Sequence, residues 1–98
     1  MKAVLSPASQ RDIRKIVIYI AGDSPVRARS LGLELRKRCH AIGDDPGLYP
    51  LAKHLGEGLR LVKHGVYFIF YVVEPDHVRI RRVIHSARLI DADMVRSS

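Results

Sequence analysis

The sequence predicts an α+β fold of order β-α-α-β-β-β, an N-terminal helical hairpin packed on a small antiparallel sheet. Three observations predict it. Two Ser-Pro pairs, Ser6-Pro7 and Ser24-Pro25, each open an apolar stripe with helical spacing. Three strand-like runs then crowd into residues 59–84, separated only by His64-Gly65 and by Glu74-Pro75-Asp76, and connections that short make antiparallel hairpins. The 98 residues, 47% of them hydrophobic, suffice for one domain with one core, spanning 1–98, and are too few for two.

Residues 2–5 (Lys-Ala-Val-Leu) read as a brief strand, and Ser6 then caps a helix whose first turn holds Pro7. Ile13, Ile16, Val17 and Ile20 fall at i, i+3, i+4 and i+7, and Ala21-Gly22 offers a stop. β-branched residues dominate that stripe, so packing rather than propensity must hold the helix. The second helix runs from Ser24-Pro25 to Gly43 with Ala28, Leu31, Leu35, Cys39 and Ile42 on its inner face. So short a turn folds the two helices back as a hairpin. Arg27, Arg29, Arg36, Lys37 and Arg38 on the outer face read as solvated surface. Asp-Pro-Gly, Tyr-Pro and Gly-Glu-Gly elements mark residues 44–57 as a long loop with one helical turn near 51–55. Loops of that length tend to be functional or mobile.

The strands are expected at 59–63, 66–73 and 77–84. The middle one is continuously apolar and aromatic, as the central strand of a small sheet should be. Its Tyr67, Ile69, Tyr71 and Val73 point one way and Phe68, Phe70 and Val72 the other. In the last strand the same alternation assigns Val78, Ile80, Arg82 and Ile84 to one face and Arg79, Arg81, Val83 and His85 to the other. Neither face is purely apolar. An unpaired buried Arg is costly, so these guanidinium groups need a carboxylate, a phosphate or water. Gathered at one border of the fold, they are expected to grip an anionic macromolecule; the plainer alternative is a solvated sheet face.

Seventeen Lys and Arg against ten Asp and Glu give a formal net charge of +7, which favours nucleic acid, a nucleic-acid-bound machine or an acidic protein as partner. A single cysteine, Cys39, excludes an internal disulfide framework and reads as a small buried apolar residue in a reducing cytoplasm. One Cys and five scattered His give none of the paired spacings of a structural zinc site, and no metal or other cofactor is expected. No apolar stretch approaches the roughly 20 residues that span a bilayer, and the N-terminus lacks the apolar run of a signal peptide, so the expected location is the cytoplasm.

Several residues carry a family resemblance: Leu5-Ser6-Pro7-Ala8 opening the first helix, Asp45-Pro46 in the loop, Gly58-Leu59-Arg60, Gly65-Val66-Tyr67 followed by Phe70-Tyr71, and Arg82-Val83-Ile84-His85-Ser86-Ala87-Arg88 at the end. In this order, over nearly the whole chain, they resemble the ParE branch of the RelE/ParE superfamily of bacterial toxin–antitoxin toxins. The resemblance implies a RelE/ParE-like fold and a toxin neutralised by a cognate ParD-like antitoxin, whose otherwise disordered C-terminal segment folds across it. It also implies that the free toxin acts on DNA gyrase without chemistry of its own. Arg60, Arg82, His85 and Arg88 are the expected target- or antitoxin-binding residues, with Arg79 and Arg81 as electrostatic support. A basic body suits an acidic amphipathic segment bringing apolar anchors and carboxylates.

The alternative is a ribosome-dependent mRNA endoribonuclease of the other branch. Cleavage at a phosphodiester needs a base, an acid and cations on the phosphate. RelE-like members place an Arg after the tyrosine of the central strand and Lys in the strand before it; here Phe68 follows Tyr67, and only Arg60 and Lys63 precede at imperfect spacing. Arg88 matches a basic position shared with those enzymes. A histidine-using subgroup resembling YafQ would assign His54, His64 and His85, together with Arg88, as catalytic, since imidazoles of near-neutral pKa can serve as acid and base. The acidic residue which that subgroup carries shortly after its second histidine has no counterpart in Gly65-Val66-Tyr67-Phe68. For His85 a structural role, tying the tail to the sheet, is the competing reading.

Overall fold

The structure, a computed structural model, describes residues 1–96. β1 (Lys2–Leu5) leads into α1 (Pro7–Ala21) and α2 (Pro25–Ala41), a short 3-10 turn follows at Ile42–Asp44, and β2 (Arg60–His64), β3 (Tyr67–Val73) and β4 (His77–His85) complete the sheet before a one-turn helix, α3 (Ala92–Val95). The strand order is β1-β4-β3-β2. The three C-terminal strands form the expected antiparallel meander, and β1 joins β4 in parallel, making the sheet mixed. The long α1–α2 crossover permits that parallel pairing.

Both helix starts follow from their caps. Ser6 Oγ accepts from the Ser9 amide at 3.0 Å and Ser24 Oγ from the Arg27 amide at 3.2 Å. The hairpin closes tightly where Gly32 faces α1, since a Cβ there would lie 2.8 Å from Val17 Cγ2. Gly43, expected as a helix stop, serves closeness instead: a Cβ would sit on the Met1 carbonyl, and the Met1 ammonium donates to Gly43 O at 3.0 Å.

The sheet separates two apolar layers. Ile13, Leu35 and Cys39 from the hairpin pack on Ile69, Tyr71, Val78, Ile80 and Val83. On the other face Leu55, Leu59 and Val95 pack on Phe70, Val72 and Ile84. The alternation expected for β3 is therefore found, and that for β4 is not. Tyr71 pairs with Ile80 but Phe70 pairs with Arg82, so Arg81 is an extra residue with no cross-strand partner. This β-bulge flips the phase, placing Val83 with Val78 and Ile80 and leaving Ile84 on the opposite layer.

Two further expectations change. Residues 51–55 form turns without a helix; Leu51 bridges to Arg60, and the Ala52 amide donates to Leu59 O at 2.7 Å. The loop is pinned: Tyr71 Oη donates to Pro46 O, Arg38 donates to Tyr49 Oη at 3.1 Å, and Arg60 donates to Tyr49 O. The tail, in turn, folds into α3, capped by Asp91 accepting from the Met94 amide at 3.2 Å, with Val95 fully buried.

Candidate functional site

β4 outruns β1: the last pair is Leu5–Ile80, beyond which α1 runs alongside the open edge. Ser6 Oγ donates to Arg81 O at 2.9 Å, and Asp12 accepts from the Val83 amide at 2.9 Å, so side chains of the first helix satisfy backbone groups that a neighbouring strand would otherwise pair. Asp12 also receives Arg82 in a bidentate fork, Nε to Oδ2 at 2.7 Å and Nη2 to Oδ1 at 2.8 Å, while Nη1 donates to Met94 O at 2.8 Å. The two side chains are only 19% and 11% exposed. The Asp12 hydrogen bonds raise the Arg82 pKa further, against the opposing effect of burial. Arg82, expected to hold an external anion, is thus a clamp joining α1, β4 and α3.

The other arginines do not form one row. Arg60 lies across the sheet on β2 and holds the 44–57 loop through Tyr49 O. Arg81, set off by the bulge, donates from Nη1 to Val95 O at 3.2 Å. Arg79 faces Val72 across the β3–β4 ladder. Arg88 is exposed in the turn after β4, its amide donating to His85 O at 3.0 Å. The single guanidinium border read from the sequence is therefore dispersed: the bulge interrupts β4, and Arg82 is spoken for by an acid 70 residues away.

The histidines divide in the same way. His64, Tyr67 and His85 occupy one cross-strand row. His64 Nε2 lies 2.6 Å from Glu34 Oε1 on α2. His85 packs edge-on against Tyr67, ring centroids 5.5 Å apart, and its Nδ1 accepts from the Ala87 amide at 3.0 Å, which fixes the turn and leaves the proton of the neutral ring on Nε2. The hydrogen bond is local, two residues along the chain, within the turn that follows β4. His54 stands apart, in a second cavity with Lys53 and Arg81.

Around that row lies a surface the sequence reading did not single out. Tyr19 is 81% exposed and Val66 51% exposed. They line one open groove with Ile16, Ile20, Lys15, Arg27, the buried Tyr67 and the exposed His85. Half of this is legible in the α1 stripe, where Ile16 and Ile20 are only partly covered; Tyr19 lies off the stripe and gave no signal. The groove combines apolar side chains with two exposed cations and an imidazole, which equips it to hold an amphipathic anionic segment. Cys39, the chain's thiol, is buried, and burial pushes its pKa up to about 12, so it is held protonated. Among the described residues no group of His, Cys, Asp and Glu could hold a metal ion, and no helix is long and apolar enough to cross a membrane.

Comparison with known proteins agrees with this architecture. Among curated proteins no relative matches. A solved structure described as a chromosomal ParDE toxin–antitoxin system from P. aeruginosa superposes with a TM-score of 0.73 at 12% identity, over 87% of this chain and 95% of that one. At that identity the likeness speaks for the fold. The family model of the ParE toxin of the type II toxin–antitoxin system parDE matches residues 3–90, from β1 through the turn after β4. The chain belongs to the ParE toxin family of type II toxin–antitoxin systems.

Proposed function

We propose that this toxin is held in its resting state by a cognate ParD-like antitoxin and, when free, inhibits DNA gyrase without performing chemistry. The observation that carries the reading is the groove beside Tyr67. Exposed Tyr19 and Val66 next to Lys15 and Arg27 suit a segment that presents apolar anchors and carboxylates together. A net charge of +7 would speed its capture. Where a RelE-like nuclease needs a cation after the strand tyrosine, Phe68 packs edge-on against Phe70 with centroids 6.2 Å apart. Purified toxin is expected to block gyrase supercoiling, and antitoxin to restore it; full supercoiling at saturating toxin contradicts the reading.

One observation favours a nuclease as second reading: His64 and His85 flank Tyr67 in a single row. It requires ribosome-stimulated mRNA cleavage that His64→Ala and His85→Ala both abolish. Intact transcripts in a translation extract remove it.

A further inference from the structure

The helical hairpin packs one side on the sheet and leaves the opposite side uncovered. Gly32 marks where the two helices touch, since a Cβ there would meet Val17 Cγ2 at 2.8 Å. In an antiparallel pair the residues that follow two facing positions, here Ile18 and Leu33, rotate to the same side. Both are 66% exposed, so that side looks away from the core. Each belongs to a stripe of exposed side chains at helical spacing. On α1 the stripe is Arg11, Arg14 and Ile18. On α2 it is Val26, Arg29, Leu33 and Arg36.

Two features set this face apart from an ordinary solvated one. Its apolar members are large and open to water, Val26 at 76% exposure, and Val26 and Leu33 stand seven residues apart, the repeat of a helix seam. Its charge is of one sign. Between Pro7 and Ala41 eight Lys and Arg stand against three acids, and those acids are placed elsewhere: Asp12 is taken by Arg82, Glu34 by His64, and Asp23 lies in the turn between the helices. Arg11, Arg14 and Arg29 have no hydrogen-bond or ion-pair partner among the described residues.

The mixture selects the occupant. Nucleic acid would engage the arginines and leave Ile18, Val26 and Leu33 without apolar contacts, and a second copy would set like charge against like charge. A helix lying along the seam of α1 and α2 meets both demands when its apolar stripe covers those three side chains and its flanks bring carboxylates to the guanidinium groups. We infer that the outer face of the hairpin is a docking surface for an acidic amphipathic helix of a protein partner. None of its side chains lines the groove beside Tyr67, and its occupation does not depend on the antitoxin or gyrase reading.

The test follows backbone amide resonances of the isotope-labelled full chain at constant ionic strength. The probe is a stapled helical peptide of about 20 residues with Leu at the a and d positions and Glu on the flanks, and the control has the same composition with Leu spread over all faces. Saturable shifts centred on residues 11–18 and 26–36 are expected with the probe, at an affinity about tenfold or more above that of the control. Leu33→Ser and Arg29→Ser, which alter exposed side chains, should each weaken probe binding about tenfold. Equal affinity for probe and control would reduce the face to unspecific charge and overturn the inference. Shifts centred instead on Tyr19, Val66 and His85 overturn it in favour of the groove, and concentration-dependent shifts of the outer face without peptide overturn it in favour of self-association. Saturation of the same amides by a short DNA duplex, unaltered in Leu33→Ser, overturns it in favour of nucleic acid.

Discussion

Removing Asp12 would leave the Arg82 guanidinium partly buried with no carboxylate and the Val83 amide without an acceptor. Asp12→Ala should therefore destabilise the protein by about 3 kcal/mol. Arg82→Lys, which cannot reproduce the fork, should lose less. The double variant Asp12→Ala/Arg82→Met should recover part of the loss, because a broken pair costs more than an absent one. Urea unfolding of these proteins and of the single variant Arg82→Met measures this, and a loss in the double variant equal to the sum of the losses in Asp12→Ala and Arg82→Met would refute the coupling. Cys39 supplies a second residue-level prediction. Its thiol keeps its proton to about pH 12 when folded but titrates near 9.0 when exposed. Above that lower value the unfolded chain binds fewer protons than the folded one, so stability must fall as pH rises. Tyr71, whose pKa burial raises against the opposing influence of Arg60, adds to the same alkaline slope. Unfolding midpoints at about pH 8 and about pH 10.5 should differ less in Cys39→Ala than in the parent protein.

The element scale is governed by how closely α1 approaches α2 and by what β4 does at its bulge. Gly32 stands where a Cβ would already press on Val17, so Gly32→Leu should separate the hairpin and cost about 2 kcal/mol or more, read as a lowered thermal midpoint. A wild-type midpoint for that variant would mean that the helices part without penalty. The elements themselves were legible: Ser6 and Ser24 are caps, and the alternation of β3 sorts Tyr67, Ile69 and Tyr71 from Phe68, Phe70 and Val72. The phase of β4 was not legible, because a bulge is a two-strand event. Only the pairing of Tyr71 with Ile80 and of Phe70 with Arg82 reveals the extra residue. The sites inherit this asymmetry. Arg82 reads as an anion clamp until α1 brings Asp12 to it, and Arg81, reckoned mere electrostatic support, is displaced by the bulge and donates to Val95 O.

For the whole molecule, charge and shape act together. The hairpin groove, between α1 and the Tyr67–His85 row, is the seat proposed for the antitoxin. If the proposed antitoxin seat is the hairpin groove, Tyr19→Glu and Val66→Glu should weaken antitoxin binding by about tenfold or more, by adding like charge and removing apolar anchors there. Both side chains are more than half exposed, so the thermal midpoint of the free toxin should stay near that of the parent. Calorimetric titration with antitoxin decides the point, and unaltered affinity would move the contact elsewhere. The sequence by itself determined the element order, the caps, the apolar layers of the helices and β3, and the family, because these depend on local spacing and on residues close along the chain. Only the tertiary structure decided the parallel seat of β1, the bulge, the acid that occupies Arg82 and the grouping of Lys53, His54, Arg81 and Arg96. Each of these rests on contacts between residues far apart in sequence, for which composition and periodicity carry no signal.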